Sequence, residues 1–103
     1  MAIKNTGLTT TPANIYASSG NTVISTMYFC NFDSTARNIW VWVIPAPGTA
    51  ANTSVLVYNN IQIASGDTFV VDMEKLALGN DDQIKANVSS GTSVTATVSY
   101  LGV

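Results

Sequence analysis

Five of the six acidic residues, Asp67, Asp72, Glu74, Asp81 and Asp82, fall in the second half of the chain. Turn carboxylates can hold calcium together with backbone carbonyls, and a carboxyl pair flanking a cleft can hydrolyse a glycosidic bond when one member has a raised pKa. Their spacing matches no EF-hand loop, and a chain of 103 residues carries no insertion that would build a cleft. Asp67 and the Asp81-Asp82 pair therefore read as turn residues whose side chains accept local hydrogen bonds. Histidine is absent and Cys30 is the sole cysteine. That excludes His-based acid/base catalysis, Cys-His nucleophile pairs, the usual zinc ligand sets and an intramolecular disulfide. Cys30 sits in an apolar run and reads as a small buried hydrophobe. Serine and threonine are abundant, but without a base or a Gly-x-Ser-x-Gly turn their hydroxyls belong to strand and turn chemistry. The expectation is a protein with no catalytic residue, no cofactor and no metal.

The aromatic residues are more informative. In Ile39-Trp40-Val41-Trp42-Val43-Ile44, strand alternation places Trp40, Trp42 and Ile44 on one face and Ile39, Val41 and Val43 on the other. Both faces are apolar, whereas a two-layer sandwich needs only one. The second face must be covered by a loop, a terminus or another chain. Met27-Tyr28-Phe29-Cys30 repeats the feature, and if the two strands pair, their aromatic side chains form a contiguous patch. Three readings stay open: both strands wholly internal, a subunit interface, or a platform on which sugar rings stack. For the last, Trp40, Trp42, Tyr58 and Asn59 supply the needed types.

These residues need strands to position them, and the chain supplies strand formers at short intervals. Of 103 residues, 32 are Val, Ile or Thr, whose branched side chains suit a pleated surface. Turn clusters rich in Gly, Pro, Asn, Asp and Ser separate runs at residues 3–8, 15–17, 22–31, 37–44, 54–63, 68–72, 83–88 and 94–100. The run at 15–17 is weak enough to be an edge strand or coil, and 73–78 is ambiguous between strand and one helical turn. Residues 94–100 alternate most cleanly, with Val94, Ala96, Val98 and Tyr100 opposite Thr95, Thr97 and Ser99. The prediction is an all-β chain, a single antiparallel β-sandwich of seven to eight strands, Ig-like or jelly-roll-like, forming one domain over residues 1–103.

Composition agrees. Hydrophobic residues make up 47% of the chain and charged residues 10%, which excludes disorder. Four Lys plus Arg against six Asp plus Glu leave a net charge of −2 and no basic stripe for a phosphate backbone, so nucleic acid is not an expected partner. No apolar run approaches a membrane span, and the opening Met-Ala-Ile-Lys-Asn has no secretory pattern. The expectation is synthesis in a reducing cytoplasm and no membrane partner.

The order of segments resembles a group of small virion proteins of tailed bacteriophages, found among tail, fibre and head-accessory components. The resemblance spans residues 22–103. It rests on a strand ending in Phe29-Cys30-Asn31, the Asp33-Ser34-Thr35 turn, the strand at 39–44 and Ile63-Ala64-Ser65-Gly66-Asp67-Thr68. Leu76-Ala77-Leu78-Gly79-Asn80-Asp81-Asp82-Gln83-Ile84-Lys85-Ala86 and the terminal strand at 94–100 complete it. It implies a β-sandwich that acts by assembling in the virion, commonly as a symmetric homo-oligomer, with no catalytic or receptor-binding residue to transfer. The expectation is a non-enzymatic tail, fibre or baseplate module, with capsid decoration or glycan-binding attachment as alternatives. Its partners would be copies of itself and other virion proteins, and in the attachment reading a host surface glycan. The interface residues expected are Trp40, Trp42, Tyr28 and Tyr58.

Overall fold

The computed structural model describes residues 2–102 and, within them, all side chains except those of residues 73–75. Eight strands follow in chain order: β1 (Ala2–Gly7), β2 (Ala13–Ala17), β3 (Thr22–Asn31), β4 (Arg37–Ile44), β5 (Leu56–Ile63), β6 (Thr68–Leu78), β7 (Gln83–Val88) and β8 (Val94–Gly102). A short 3-10 turn, Thr53–Val55, precedes β5; its Asn52 cap accepts from the Ser54 N–H. The ambiguous segment at 73–78 continues β6 as strand, and the weak run at 15–17 is the core of β2.

The strands form two four-stranded sheets, ordered β1-β8-β3-β6 and β2-β7-β4-β5. Every ladder is antiparallel. Up to β4 the chain changes sheet at each connection, β4 and β5 pair as neighbours, and the changes then resume. That is the winding of a jelly roll, which resolves the choice left open between Ig-like and jelly-roll sandwiches. The β3 and β4 strands therefore lie in different sheets, so the contiguous aromatic patch expected from their pairing does not form. Both run as good central strands, and a short turn between them permits either a hairpin or a crossing from one sheet to the other.

Period-2 alternation builds the core. Met27 and Phe29 of β3, Val94, Ala96 and Val98 of β8, Ile39 and Val41 of β4, and Ile84, Ala86 and Val88 of β7 are all essentially inaccessible. Phe69 of β6 bridges the layers, tilted against Phe29 at 6.3 Å between centroids and edge-on to Tyr58 at 5.7 Å. Burial of these side chains is the main stabilising term, each one larger than alanine worth about 1.5–3 kcal/mol.

The two ends are closed by polar networks. At one end the turns at 32–36, 64–67 and 89–93 meet around Asn31, which is fully buried. Its Nδ2 donates to the carbonyls of Thr35 and Ile63, each at 3.0 Å, and its Oδ1 accepts from the Asp33 N–H at 3.0 Å. Gly66 turns there with φ +71, a left-handed value that strains any residue with a Cβ. At the other end the turns at 18–21 and 79–82 exchange main-chain bonds, Ser18 N–H to Asp82 and Asp81 N–H to Ser18, both at 2.9 Å.

Candidate functional site

The four aromatic residues expected at an interface are placed on three different surfaces. Trp40 and Trp42 point outward from the β2-β7-β4-β5 sheet, beside Asn87 and Lys85 of β7. Trp42 is nevertheless only 8% exposed, and Ile44 beyond it is also buried, although neither belongs to the inter-sheet core. Their cover is the chain's own segment at 45–55. It is tied down by Lys85 Nζ, which donates to the Thr49 carbonyl at 2.7 Å, and by Asp82 Oδ1, which accepts the Ala46 N–H at 2.8 Å. The virtual Cβ of Gly48 lies 3.4 Å from Ile44 Cγ2, so this backbone folds back against the end of the strand. Of the three coverings the alternation allows, a loop is therefore the one realised over Trp42, and Trp40 stays half-buried beside it.

Tyr58 faces the opposite way. The β4–β5 ladder shifts register between Ile39 and Val41 and again between Val41 and Trp42, and Asn60 takes a left-handed φ of 57 in this region. The irregularity puts Tyr58 opposite Val41 on the inner face, against Phe69, while Leu56 falls beside Trp42 on the outer one. Trp40, Trp42 and Tyr58 are therefore not brought to one surface. A strand bulge of this kind leaves little trace in alternation, because it consists of one residue too many in an otherwise periodic run.

Tyr28 alone of the four is on an open surface, the outer face of the β1-β8-β3-β6 sheet. Register fixes what surrounds it. One row across this face reads Asn5, Thr97, Tyr28, Val70; the next reads Ile3, Ser99, Thr26, Asp72; and Leu101 stands beside Val23 in the row beyond. Ile3 is 66% exposed, Val70 50% and Tyr28 41%, and Leu101 is also exposed. Between them stand Thr and Ser side chains, with Ser25 Oγ donating to Ser99 and Thr97 Oγ1 to Asn5 Oδ1. Among the described side chains on this face, Asp72 carries the one charge. The exposed apolar residues thus stand as two adjacent pairs, Tyr28 with Val70 and Ile3 with Leu101, on a nearly uncharged face. Sequence reasoning found Tyr28 but missed Ile3, Val70 and Leu101, which come to the same face only once β1, β3, β6 and β8 share a sheet. Cys30 lies in the following row beside Thr68 and Thr95, half-buried on the outer face, where alternation after Phe29 must put it; it is not the core hydrophobe expected.

The carboxylates are dispersed. Among the described residues no group of three or more His, Cys, Asp or Glu comes together, and the Glu74 side chain lies outside the described ones. Asp33 binds Arg37 at 2.8 Å, and that hydrogen bond, partly opposed by desolvation, holds its carboxyl below the ordinary range. Asp82 is likewise lowered, first by the Ala46 N–H and then by the Gly79 N–H. Both are carboxylates that fasten turns, and Asp67 does the same by accepting from the Thr68 N–H at 2.8 Å. Arg37 is held by its Asp33 partner and is only partly exposed. No family model, curated protein or solved structure matches the chain.

Proposed function

We propose that this chain is a non-enzymatic structural component of a tailed-phage virion, made in the host cytoplasm and serving as a tail, fibre or baseplate-associated assembly module. The observation that carries the assembly role is the outer face around Tyr28: four exposed apolar residues on a sheet whose other described side chains are almost all small and uncharged. An isolated domain gains nothing from leaving Ile3, Val70 and Leu101 in water, whereas a packed neighbour recovers their burial. The jelly roll suits the role because rigid sheets present a surface whose geometry does not change on contact. The virion assignment is supported by the resemblance of residues 22–103 to small phage structural proteins. The partners are copies of the chain and neighbouring virion proteins.

The test is location. Particles purified through a density gradient contain the chain in many copies per particle, and imaging places it at the tail with the Tyr28 face against a neighbour. Its absence from particles overturns the virion reading, and a Tyr28 face turned to solvent in the particle overturns the assembly role of that face.

A further inference from the structure

A sandwich with open sheets has four edge strands, here β1 and β6 in one sheet and β2 and β5 in the other. Each offers unpaired N–H and C=O groups to another strand unless something disrupts it. The β2 ladder shifts between Asn14 and Tyr16, the β5 ladder shifts twice, and the β3–β6 ladder shifts between Ile24 and Thr26. Among the described residues only β1 pairs without interruption, Ala2 with Tyr100 through Gly7 with Thr95, and it contains no proline.

The phase of its free groups follows from one bond. The Leu8 N–H donates to the Val94 carbonyl at 2.8 Å, one pair beyond Gly7 and Thr95. In an antiparallel ladder such bonded pairs alternate with unbonded ones. Thr6, Lys4 and Ala2 therefore point their main-chain groups at β8, while Ile3, Asn5 and Gly7 point theirs at the open edge. The same odd-numbered residues carry the outer-face side chains.

We propose that β1 pairs antiparallel with β1 of a second copy of this chain, about a two-fold axis through Asn5, joining two sheets into one of twice the width. The inference rests on reading the chain as an assembly module and names the contact between its copies. Two-fold symmetry and matching faces restrict the register, since outer residues must oppose outer residues. Centring on Lys4 would set two ammonium groups directly opposite each other in a close unbonded pair, which is unfavourable. Centring on Asn5 instead opposes Lys4 to Thr6 of the copy and keeps the two Lys4 Cα atoms roughly 8 Å apart by strand geometry. It also opposes Ile3 to Gly7 of the copy, where the missing side chain leaves room, and satisfies the outward groups of Ile3, Asn5 and Gly7. Asn5 Oδ1 already accepts from Thr97 Oγ1 at 2.8 Å, which orients its amide nitrogen to donate across the axis. Lys4 thus disfavours the register centred on itself, and in the one centred on Asn5 the Tyr28 faces of the two copies become one continuous surface.

The test uses the whole chain. Asn5→Pro removes an outward N–H and the exposed side-chain bond from Thr97, a substitution an edge strand accepts, and leaves the β1–β8 main-chain bonds in place. In sedimentation the wild type runs as a dimer, and Asn5→Pro runs as a single chain of about 10.8 kDa that still unfolds in one cooperative transition, at a temperature lowered by the loss of association. A second measurement does not depend on proline being tolerated. In a Cys30→Ser background, chains with Lys4→Cys mixed with chains carrying Thr6→Cys form a mixed disulfide dimer on mild oxidation. Neither kind links to itself, because identical positions lie beyond disulfide reach. A multimer that keeps its mass in Asn5→Pro and yields no mixed disulfide overturns the β1 contact while leaving the assembly module reading intact. Linking of Lys4→Cys chains to one another overturns the register. A wild type that remains a single chain at hundreds of micromolar overturns the inference, and particle incorporation then decides separately whether the module reading falls.

Discussion

Asn31 shows how much structure one buried amide can organise. Its side chain ties the turn at 32–36 to the end of β5 by donating to Thr35 and Ile63 and accepting from Asp33. Asn31→Ala leaves those carbonyls and that N–H without their partner inside the protein, and an unsatisfied buried group costs about 1–3 kcal/mol. The expected result is a fall of about 2–4 kcal/mol in unfolding free energy, read from denaturant midpoints at unchanged slope. Asp82 makes a prediction about acid. Its carboxyl is lowered from 3.8 by the N–H groups of Ala46 and Gly79. A group whose pKa is lower folded than unfolded contributes stability above its unfolded value and loses it as pH falls through the folded one. Melting temperature should be flat in this respect above about pH 4 and decline below it. Asp82→Asn, with nothing to protonate there, is less stable at neutral pH and approaches the wild type as acid is added. Curves that stay parallel down to pH 2 would refute the role given to this carboxylate.

At the level of strands and loops, β4 carries the clearest test. Trp42 packs beneath the segment at 45–55, which Lys85 and Asp82 hold in place, and Trp40 stays half-exposed nearby. Acrylamide should therefore quench Trp40 in the Trp42→Phe protein more strongly than it quenches Trp42 in the Trp40→Phe protein. Trp42→Ala should cost about 2–4 kcal/mol of stability and leave the oligomeric mass unchanged. The doubly apolar pattern of β4 was legible in the sequence, as was its need for cover, and strand bounds such as Thr22–Asn31, Arg37–Ile44 and Gln83–Val88 followed from alternation between turn signals. What covers Trp42 was not legible, because the loop is fixed by single long-range contacts from Lys85 and Asp82 that leave no periodic mark. Sheet membership was equally hidden. Met27 to Phe29 and Ile39 to Ile44 read alike as central strands, and only the closed winding of the whole chain puts them in different layers. The bulge near Asn60, which turns Tyr58 inward, has no signature beyond one unmatched residue in β5.

For the whole molecule, the account turns on the contrast between the two sheets' outer faces. One is covered in part by the chain's own loop, and the other is left bare around Tyr28, Ile3, Val70 and Leu101. Uncharged Thr and Ser between those residues keep the face soluble while allowing it to be dried by a neighbour at little electrostatic cost. Tyr28→Lys with Val70→Asp places an opposite-charge pair at directly facing positions of that face and, both sites being exposed, changes stability by no more than about 0.5–1 kcal/mol. The direct measurement is a competition in which cells producing particles express tagged wild-type and doubly substituted chains at equal levels. The account predicts that purified particles incorporate the wild type and exclude the variant, although the two melt alike in isolation. Equal incorporation of both chains, or incorporation of neither, would contradict it.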